Sequence, residues 1–316
     1  KKAVECAEYA IIQDNLDERV KHVGYYLIDK GRNTLRKNIK HRTGEVKNTF
    51  ERSKSHAFKL YSGIIVVLIA LISAILGYYA FYECDGNHKW FMFLLSMATV
   101  LIPVSEIVIG LVNWVTTKVL RTVHIPKLEM EEGIPDEAAT MVVIPSLLSS
   151  EKSVDELTEH LEIFYLGNKE KNLYFGLIGD FKDAEQKNLP QDKEIIRAAE
   201  QKIEYLNRRY ATDGKDIFFL FHRNRQYNEV QNKWMGWERK RGALLEFCDF
   251  IRGVQGTSFS IIRGDVSQLP TIKYVITLDA DTILPRDAAK QLIGTMLHPL
   301  NKPIIDKGKG LVIEGY

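Results

Sequence analysis

Two long apolar runs constrain this chain more than any other feature. The stretch from Leu60 to Tyr82 contains no charged residue, and as an α-helix it would be roughly 34 Å long. That length is enough to cross a hydrocarbon core of roughly 30 Å. A second run, interrupted by Pro103, Glu106 and Asn113, extends from Trp90 to about Val115. Because soluble cores rarely contain apolar runs this long, the sequence predicts two transmembrane helices joined as a hairpin.

The cations beside these runs predict their orientation. The loop between the runs, residues 83–89, carries one lysine and two acids, whereas both outer flanks are basic. Cytoplasmic flanks of membrane helices are enriched in Lys and Arg, so both flanks and the domain that follows are expected in the cytoplasm. The flanking cations are Arg52, Lys54, Lys59, Lys118, Arg121 and Lys127.

Composition excludes some other classes of protein. The formal net charge is only +2, so no global field favours nucleic acid, and no nucleic-acid partner is expected. The three cysteines, Cys6, Cys84 and Cys248, have no spacing typical of a zinc site or a disulfide framework. The polar start is not typical of a secretory signal. The sequence does not begin with Met, and it ends inside an apolar, strand-like run. We therefore expect it to be a segment of a longer protein.

Four parts follow from the pattern along the chain. Residues 1–55 are polar with helical periodicity and are expected to form a cytoplasmic helical segment, whose basic stretch fits either a solvated helix face or contact with anionic lipid headgroups. Residues 56–117 form the predicted hairpin in the lipid bilayer. Residues 118–139 are a linker broken by Pro126, Gly133 and Pro135. Residues 140–316 make up the last part.

This last part alternates short apolar runs with helical patterns, which predicts a mostly parallel sheet covered by helices on both faces. Ser153 with Glu156 three residues later predicts a capping box at the first helix. Ligands of such sheets bind beyond the carboxyl ends of the strands. The predicted strands are Met141–Ile144, Leu173–Ile178, Ile217–Phe221 and Tyr274–Leu278. The later helices are marked by Ile195–Leu206, Arg239–Ile251 and Asp287–Leu297.

Two carboxylates, Asp279 and Asp281, follow the fourth predicted strand. Two ionised carboxylates this close together at a strand end favour a cation between them. Mg²⁺ and Mn²⁺ take carboxylate and phosphate oxygens together, and such a metal can neutralise a departing diphosphate. The sequence therefore predicts that Asp279 and Asp281 bind a divalent metal.

Further candidate residues follow the second and third strands. Asp180, at the end of the second strand, is a candidate for hydrogen bonds to a base or ribose. The segment Trp234–Gly242 carries three consecutive cations, of which Lys240 and Arg241 are candidates for diphosphate binding. Trp237 could stack on a base or sugar, or simply pack. Residues 222–225 include His222, expected to be structural, and two arginines that could reach phosphate or order a loop.

Taken together, these motifs resemble the glycosyltransferase portion of cyclic β-1,2-glucan synthases, together with the hairpin that precedes it. The motif Trp234–Gly242 is long and specific, and the resemblance covers nearly the whole chain. The other segments that carry it are Val23–Leu27, Pro103–Glu106, Gly133–Pro135, Met141–Leu148, Asn172–Phe181, His222–Arg225 and Thr277–Thr282.

The resemblance implies a GT-A-like, inverting transferase in the bacterial inner membrane. Such an enzyme would use UDP-glucose and a divalent metal, Mg²⁺ or Mn²⁺, to elongate a β-1,2-glucan acceptor. It implies that Asp180 contacts the nucleotide, that Asp279 contacts nucleotide or sugar, and that Asp281 binds the metal. Lys240 and Arg241 would lie near the diphosphate. Relatives place the general base later in the chain, so this residue is expected beyond Tyr316 and the segment is expected to be catalytically incomplete.

Two other interpretations remain open from the sequence. Another processive membrane transferase of the same fold, such as a cellulose- or hyaluronan-type synthase, would keep the metal pair and the hairpin but differ in product linkage. A non-catalytic membrane module that binds nucleotide-sugars would be expected to lose the metal carboxylates. Asp279 and Asp281 are both present, which favours an enzyme.

Overall fold

A computed structural model describes residues 1–13, 17–39, 46–83, 88–120, 125–211 and 214–315, with backbone only for 46–56 and 268. The chain divides into two compact units, Lys1–His124 and Ile125–Tyr316. This division separates the apolar helices from the α/β part. The finer division into four parts stays a prediction.

The first unit begins with three short helices: α1 (Lys2–Ile12), α2 (Val23–Ile28) and α3 (Arg32–Asn38). They enclose a small apolar cluster to which each helix contributes, with Ala3, Ala7, Tyr26 and Leu35 buried. Part of the predicted basic stretch, residues 40–45, lies outside the described residues.

Two long helices follow: α4 (Val46–Glu83) and α5 (Lys89–Val119). They pack antiparallel, since Tyr61 Oη donates to Asn113 Oδ1 at 2.6 Å near one end. The rings of Phe81 and Trp90 meet at 5.1 Å near the other. Residues 57–83 and 89–119 are each long and apolar enough to cross a membrane. The predicted helical hairpin is thus confirmed, while loop residues 84–87, Arg121 and the side chains of Arg52 and Lys54 lie outside the part described.

A five-stranded sheet forms the centre of the second unit. Its strands are β1 (Thr140–Leu148), β2 (Leu173–Phe181), β3 (Phe218–Arg223), β6 (Phe259–Arg263) and β7 (Tyr274–Thr277), and they lie in the order β6-β3-β2-β1-β7. The four strands β3, β2, β1 and β7 are parallel, and β6 pairs antiparallel with β3 at one edge. The predicted α/β class with a mostly parallel sheet is therefore confirmed.

Helices cover both faces of this sheet. On one face α6 (Glu151–Gly167), α7 (Asp192–Tyr210) and α9 (Ala288–Leu297) bury a cluster that includes Leu161, Ile203 and Ile293. On the other face α8 (Arg239–Ile251) buries Ala243 and Phe247. Two small hairpins lie outside the central sheet: β4 (Gln226–Asn228) with β5 (Lys233–Met235), and β8 (Ile304–Asp306) with β9 (Leu311–Glu314).

Several predicted boundaries were wrong. β1 was expected to end before Pro145, yet it continues to Leu148. β7 pairs with β1 only as far as Val143, so the missing N–H of Pro145 breaks no ladder bond on that side. The helix α6 begins at Glu151 because Ser150, not Ser153, caps it. Ser150 Oγ accepts from Ser153 N, and Ser153 Oγ accepts from Ser150 N, each at 3.1 Å.

Candidate active site

A cleft lies beyond the carboxyl ends of β1 and β2, where ligands of parallel sheets bind. Its volume is about 610 Å³. Its walls combine apolar side chains with two carboxylates and three cations, a mixture suited to a ligand with a planar ring and a charged group. The lining residues are Pro145, Ser146, Leu147, Ile178, Asp180, Lys182, Asp183, Arg239, Lys240 and Ala243.

Asp180 forms the floor of this cleft in a buried ion pair. Its carboxylate accepts from Arg223 Nε at 2.8 Å and from Arg223 Nη2 at 2.6 Å. The Arg223 side chain is 0% exposed. Burial raises the pKa of Asp180 despite the opposing effect of Arg223. Both carboxylate oxygens thus already have a partner, and the predicted contact of Asp180 with a nucleotide stays a prediction.

Arg223 also holds the loop that leads into α8. Its Nη1 donates to the carbonyl of Trp237 at 3.2 Å and its Nη2 to the carbonyl of Arg239 at 3.0 Å. A third partner is Glu246 on α8, whose Oε1 lies 3.4 Å from Nη1. One buried guanidinium therefore ties the floor of the cleft to the loop and the helix that form its wall.

Two glycines make this loop geometry possible. A Cβ on Gly236 would lie 2.5 Å from Asp180 Oδ2, and a Cβ on Gly242 would lie 1.9 Å from the carbonyl oxygen of Trp237. Between them, Glu238 and Arg239 adopt left-handed backbone angles, with φ of 46° and 48°. Such angles are uncommon for residues with a side chain. The sequence Trp234–Gly242 therefore specifies a tight, closely packed loop.

Arg225 holds the opposite wall of the cleft. It donates to the carbonyls of Lys182 at 2.7 Å and Lys187 at 3.1 Å. It also pairs with Asp192 at 2.5 Å and lies 4.6 Å from the ring of Phe181. Of the two alternatives left open by the sequence, ordering of loops is the one that the contacts of Arg223 and Arg225 support.

His222 directly precedes Arg223 in the chain and is also buried. Its ring meets Phe181 at 4.3 Å, and within the described residues neither ring nitrogen has a hydrogen-bond partner. Burial lowers the pKa of His222 to about 4. The ring is therefore neutral near pH 7 and packs as an apolar core residue. A structural histidine was expected, but one with hydrogen-bonded ring nitrogens, and the described residues supply no such partner.

The loop of residues 278–284, which carries Asp279 and Asp281 and is called the carboxylate loop below, faces the start of α8. Asp279 forms an ion pair with Lys240, and both side chains are exposed. Asp281 is exposed as well. The structure thus brings together Asp180, Lys240 and Asp279 from three separate elements, although they are far apart in sequence.

Other predicted residues lie away from the lining. Arg241 pairs with Glu238 at 2.8 Å, and its side chain is 76% exposed. Trp237 is 45% exposed. By contrast Arg239, the first of the three consecutive cations but not one of the two singled out for the site, lines the cleft and pairs with Asp183 at 2.7 Å. The start of α8 at Arg239 was the signal, since only the first residues of a helix face an anion at its end.

Asp279 and Asp281 place two exposed carboxylates on one loop. Within the described ranges no group of three or more His, Cys, Asp or Glu side chains is placed to bind a metal ion. Mg²⁺ sites commonly use one or two carboxylates and complete their shell with phosphate and water oxygens. The donor chemistry of these two residues suits such a site, provided that Lys240 gives up its bond to Asp279.

Comparison with known proteins gives one informative match. No family model matches the chain. A cyclic β-(1,2)-glucan synthase, NdvB of Rhizobium meliloti (strain 1021), is 36% identical over 298 residues, which is 93% of this chain. The family resemblance is confirmed: this chain is related to cyclic β-(1,2)-glucan synthases. The match covers 10% of the relative's own length.

Proposed function

We propose that this chain forms the donor-binding part of a membrane glycosyltransferase that elongates a β-1,2-glucan from UDP-glucose. The observation that carries the proposal is the cleft at the carboxyl ends of β1 and β2, where Lys240 and Asp279 meet. The product class is taken from the similarity of this chain, over 93% of its length, to a cyclic β-(1,2)-glucan synthase.

Each part of the cleft has a role in this proposal. Apolar side chains such as Pro145 and Ile178 give the nucleotide base a surface to pack against. Arg239 and Lys240, at the start of α8, bind diphosphate oxygens, aided by the amide groups of the helix end. Asp279 and Asp281 bind a divalent metal, which would neutralise charge on the departing UDP.

Lys240 changes partner in this account. When no nucleotide-sugar is bound, Lys240 neutralises Asp279. When the nucleotide-sugar binds, the ammonium group of Lys240 moves to its diphosphate. The exchange requires little energy because both side chains are exposed, where an ion pair contributes only about 0–1 kcal/mol. We further propose an inverting reaction. The acceptor hydroxyl attacks the anomeric carbon from the face opposite UDP, the bond from that carbon to the UDP oxygen breaks, and a general base takes the hydroxyl proton.

The hairpin of α4 and α5 places the transferase at the membrane in this proposal. Both helices are long enough to span the bilayer. Cations on the outer flanks, such as Lys59 and Lys118, favour the cytoplasmic side for the α/β unit. UDP-glucose is then supplied from the cytoplasm, and the acceptor is a growing glucan.

The test is transfer by membranes from cells that express the full-length protein. Radiolabelled UDP-glucose is supplied with Mg²⁺ or Mn²⁺, with and without EDTA, and the polymer is submitted to linkage analysis. The proposal predicts a β-1,2-linked glucan that is absent with EDTA. A polymer of another linkage would favour a cellulose- or hyaluronan-type synthase, and no transfer from any nucleotide-sugar would favour a non-catalytic binding module.

A further inference from the structure

The helix α6 lies against the carboxylate loop and is well anchored. Its buried side chains include Leu157, Leu161 and Phe164, which belong to the main core. Leu278 and Ala280 of the loop pack against the same core. A capped helix with one face in the core is a rigid support for a loop that lies beside it.

His160 on this helix reaches the centre of the loop. Its Nδ1 lies 3.0 Å from the carbonyl oxygen of Ala280, the residue between Asp279 and Asp281. A carbonyl oxygen only accepts hydrogen bonds, so Nδ1 carries the hydrogen. The ring also stacks on Phe164, with centroids 6.2 Å apart and planes 30° apart. Phe164 is 2% exposed, so the imidazole is held against a fixed surface.

The end of the same helix holds the segment that follows the loop. Asp287 N donates to the carbonyl of Gly167 at 3.1 Å. Asn168, only 1% exposed, donates to the carbonyl of Pro285 at 3.1 Å and accepts from Ala289 N at 3.0 Å. The loop that carries Asp281 is therefore attached to α6 at two places, at Ala280 and at residues 285–289.

These contacts matter because packing does not orient the carboxylates themselves. Asp279 and Asp281 are both exposed, so the backbone between them, together with the ion pair of Asp279 and Lys240, determines where the two carboxylates lie. The peptide carbonyl of Ala280 points towards α6 and is bonded there. Thr282 N donates to the carbonyl of Asp279 at 3.0 Å, so residues 279–282 form a turn, and the contact with His160 holds the Ala280 carbonyl in the middle of it.

We propose that His160 is a positioning residue for the metal-binding loop. Its hydrogen bond to Ala280 fixes the peptide between Asp279 and Asp281, so that both carboxylates are presented together to a divalent cation held with a diphosphate. The inference rests on the proposed function for the identity of the ligand. The attachment of the loop to α6 is independent of the proposed function.

The experiment compares four forms of the full-length protein: wild type, His160→Asn, His160→Gln and His160→Leu. The asparagine amide nitrogen occupies the place of Nδ1 and keeps the bond. The glutamine amide lies one bond further out, and leucine has no donor. In each form, hydrogen–deuterium exchange of residues 278–284 is measured with residues 173–181 of β2 as the internal reference. The Mn²⁺ concentration for half-maximal transfer from UDP-glucose is measured in parallel.

We expect His160→Leu and His160→Gln to raise both exchange in the loop and the half-maximal Mn²⁺ concentration by about twofold to tenfold, the factor given by one net hydrogen bond. His160→Asn should stay within about twofold of wild type on the same scale. Exchange of β2 should be unchanged in every form.

Unchanged loop exchange in His160→Leu would overturn the proposal, whatever the activity. Faster exchange with an unchanged Mn²⁺ requirement would also overturn it, because the bond would then be structural only. Equal losses in His160→Asn and His160→Leu would show that ring packing, not the donor, matters. If the wild-type protein transfers glucose without a metal, the proposed function is wrong, and so is the positioning role of His160. The exchange data would still report separately whether His160 attaches the loop to α6.

Discussion

Replacement of Arg223 by methionine tests the account of how the cleft is built. The variant removes the cation that bonds Asp180 and the carbonyls of Trp237 and Arg239. It also leaves Asp180 and Glu246, whose side chains are 7% and 14% exposed, without this partner. Removing one member of a buried ion pair costs about 3–5 kcal/mol, because the remaining charge stays desolvated.

This cost can be converted into a melting temperature. A domain of this size loses about 2–4 °C for each kcal/mol, so Arg223→Met should lower the melting temperature by roughly 6–20 °C. Unfolding of the purified protein in detergent is followed by tryptophan fluorescence, to which Trp234 and Trp237 contribute from the α/β unit.

Two further variants make the test specific. Arg208→Met breaks an exposed pair with Glu204, whose side chains are 76% and 54% exposed, and should change the melting temperature by about 2 °C or less. The double variant Asp180→Leu/Arg223→Met should recover part of the loss, because apolar side chains can replace a buried ion pair. A melting temperature for Arg223→Met equal to that of Arg208→Met, or no recovery in the double variant, would refute the reasoning.

Two other predictions concern residues near the cleft. Burial lowers the pKa of His222 to about 4 in the folded protein. In the unfolded chain it is about 6.5, so the unfolded state binds more protons between these values and stability falls as the pH falls through them, by about 3 kcal/mol in all. Urea unfolding at about pH 7 and pH 4.5 should show this loss of unfolding free energy in wild type and not in His222→Leu. An equal change of unfolding free energy with pH in both proteins would contradict the prediction. Gly242→Ala would place a Cβ 1.9 Å from the Trp237 carbonyl oxygen, whereas Gly167→Ala meets nothing closer than 3.8 Å. UDP titration and melting should show weaker binding and about 1–3 kcal/mol lower stability for the first variant only, and equal behaviour of the two would count against the tight loop.

The sequence alone predicted the sheet class and most element positions. Strands such as β2 and β3 are continuous apolar runs buried on both faces, which is the pattern of parallel strands between helices. The antiparallel edge strand β6 was missed, because none of its residues Phe259–Arg263 is fully buried and its partner β3 lies far back in the chain.

The location of the site was also predictable, but its internal bonds were not. The rule that ligands bind beyond strand ends pointed to Asp180 and Asp279, and the run of three cations pointed to Lys240. These residues do lie around one cleft or contact it. The partner of Asp180 is Arg223, 43 positions away. Local pattern carries no information on such pairs, because they depend on the register between neighbouring strands.

The same limit explains why His160 escaped notice. In the sequence it is one polar residue on an amphipathic helix, with nothing to separate it from a solvated position. Its partner, Ala280, is 120 positions away, and the bond is to a backbone carbonyl that leaves no trace in residue type. Positioning residues of this kind become visible only when the fold is known.

The most direct test of the central claim asks whether Asp281 binds the metal. Membranes bearing the full-length protein as wild type, Asp281→Asn or Asp249→Asn are assayed for glucose incorporation from UDP-glucose over a range of Mn²⁺ concentrations. Asp249 is the matched control, an acid on α8 that pairs with Arg252 at 2.9 Å. We predict that Asp281→Asn loses at least about tenfold in rate, since a bound metal contributes several kcal/mol to charge neutralisation, while Asp249→Asn matches wild type. Full activity and an unchanged Mn²⁺ requirement in Asp281→Asn would contradict the account.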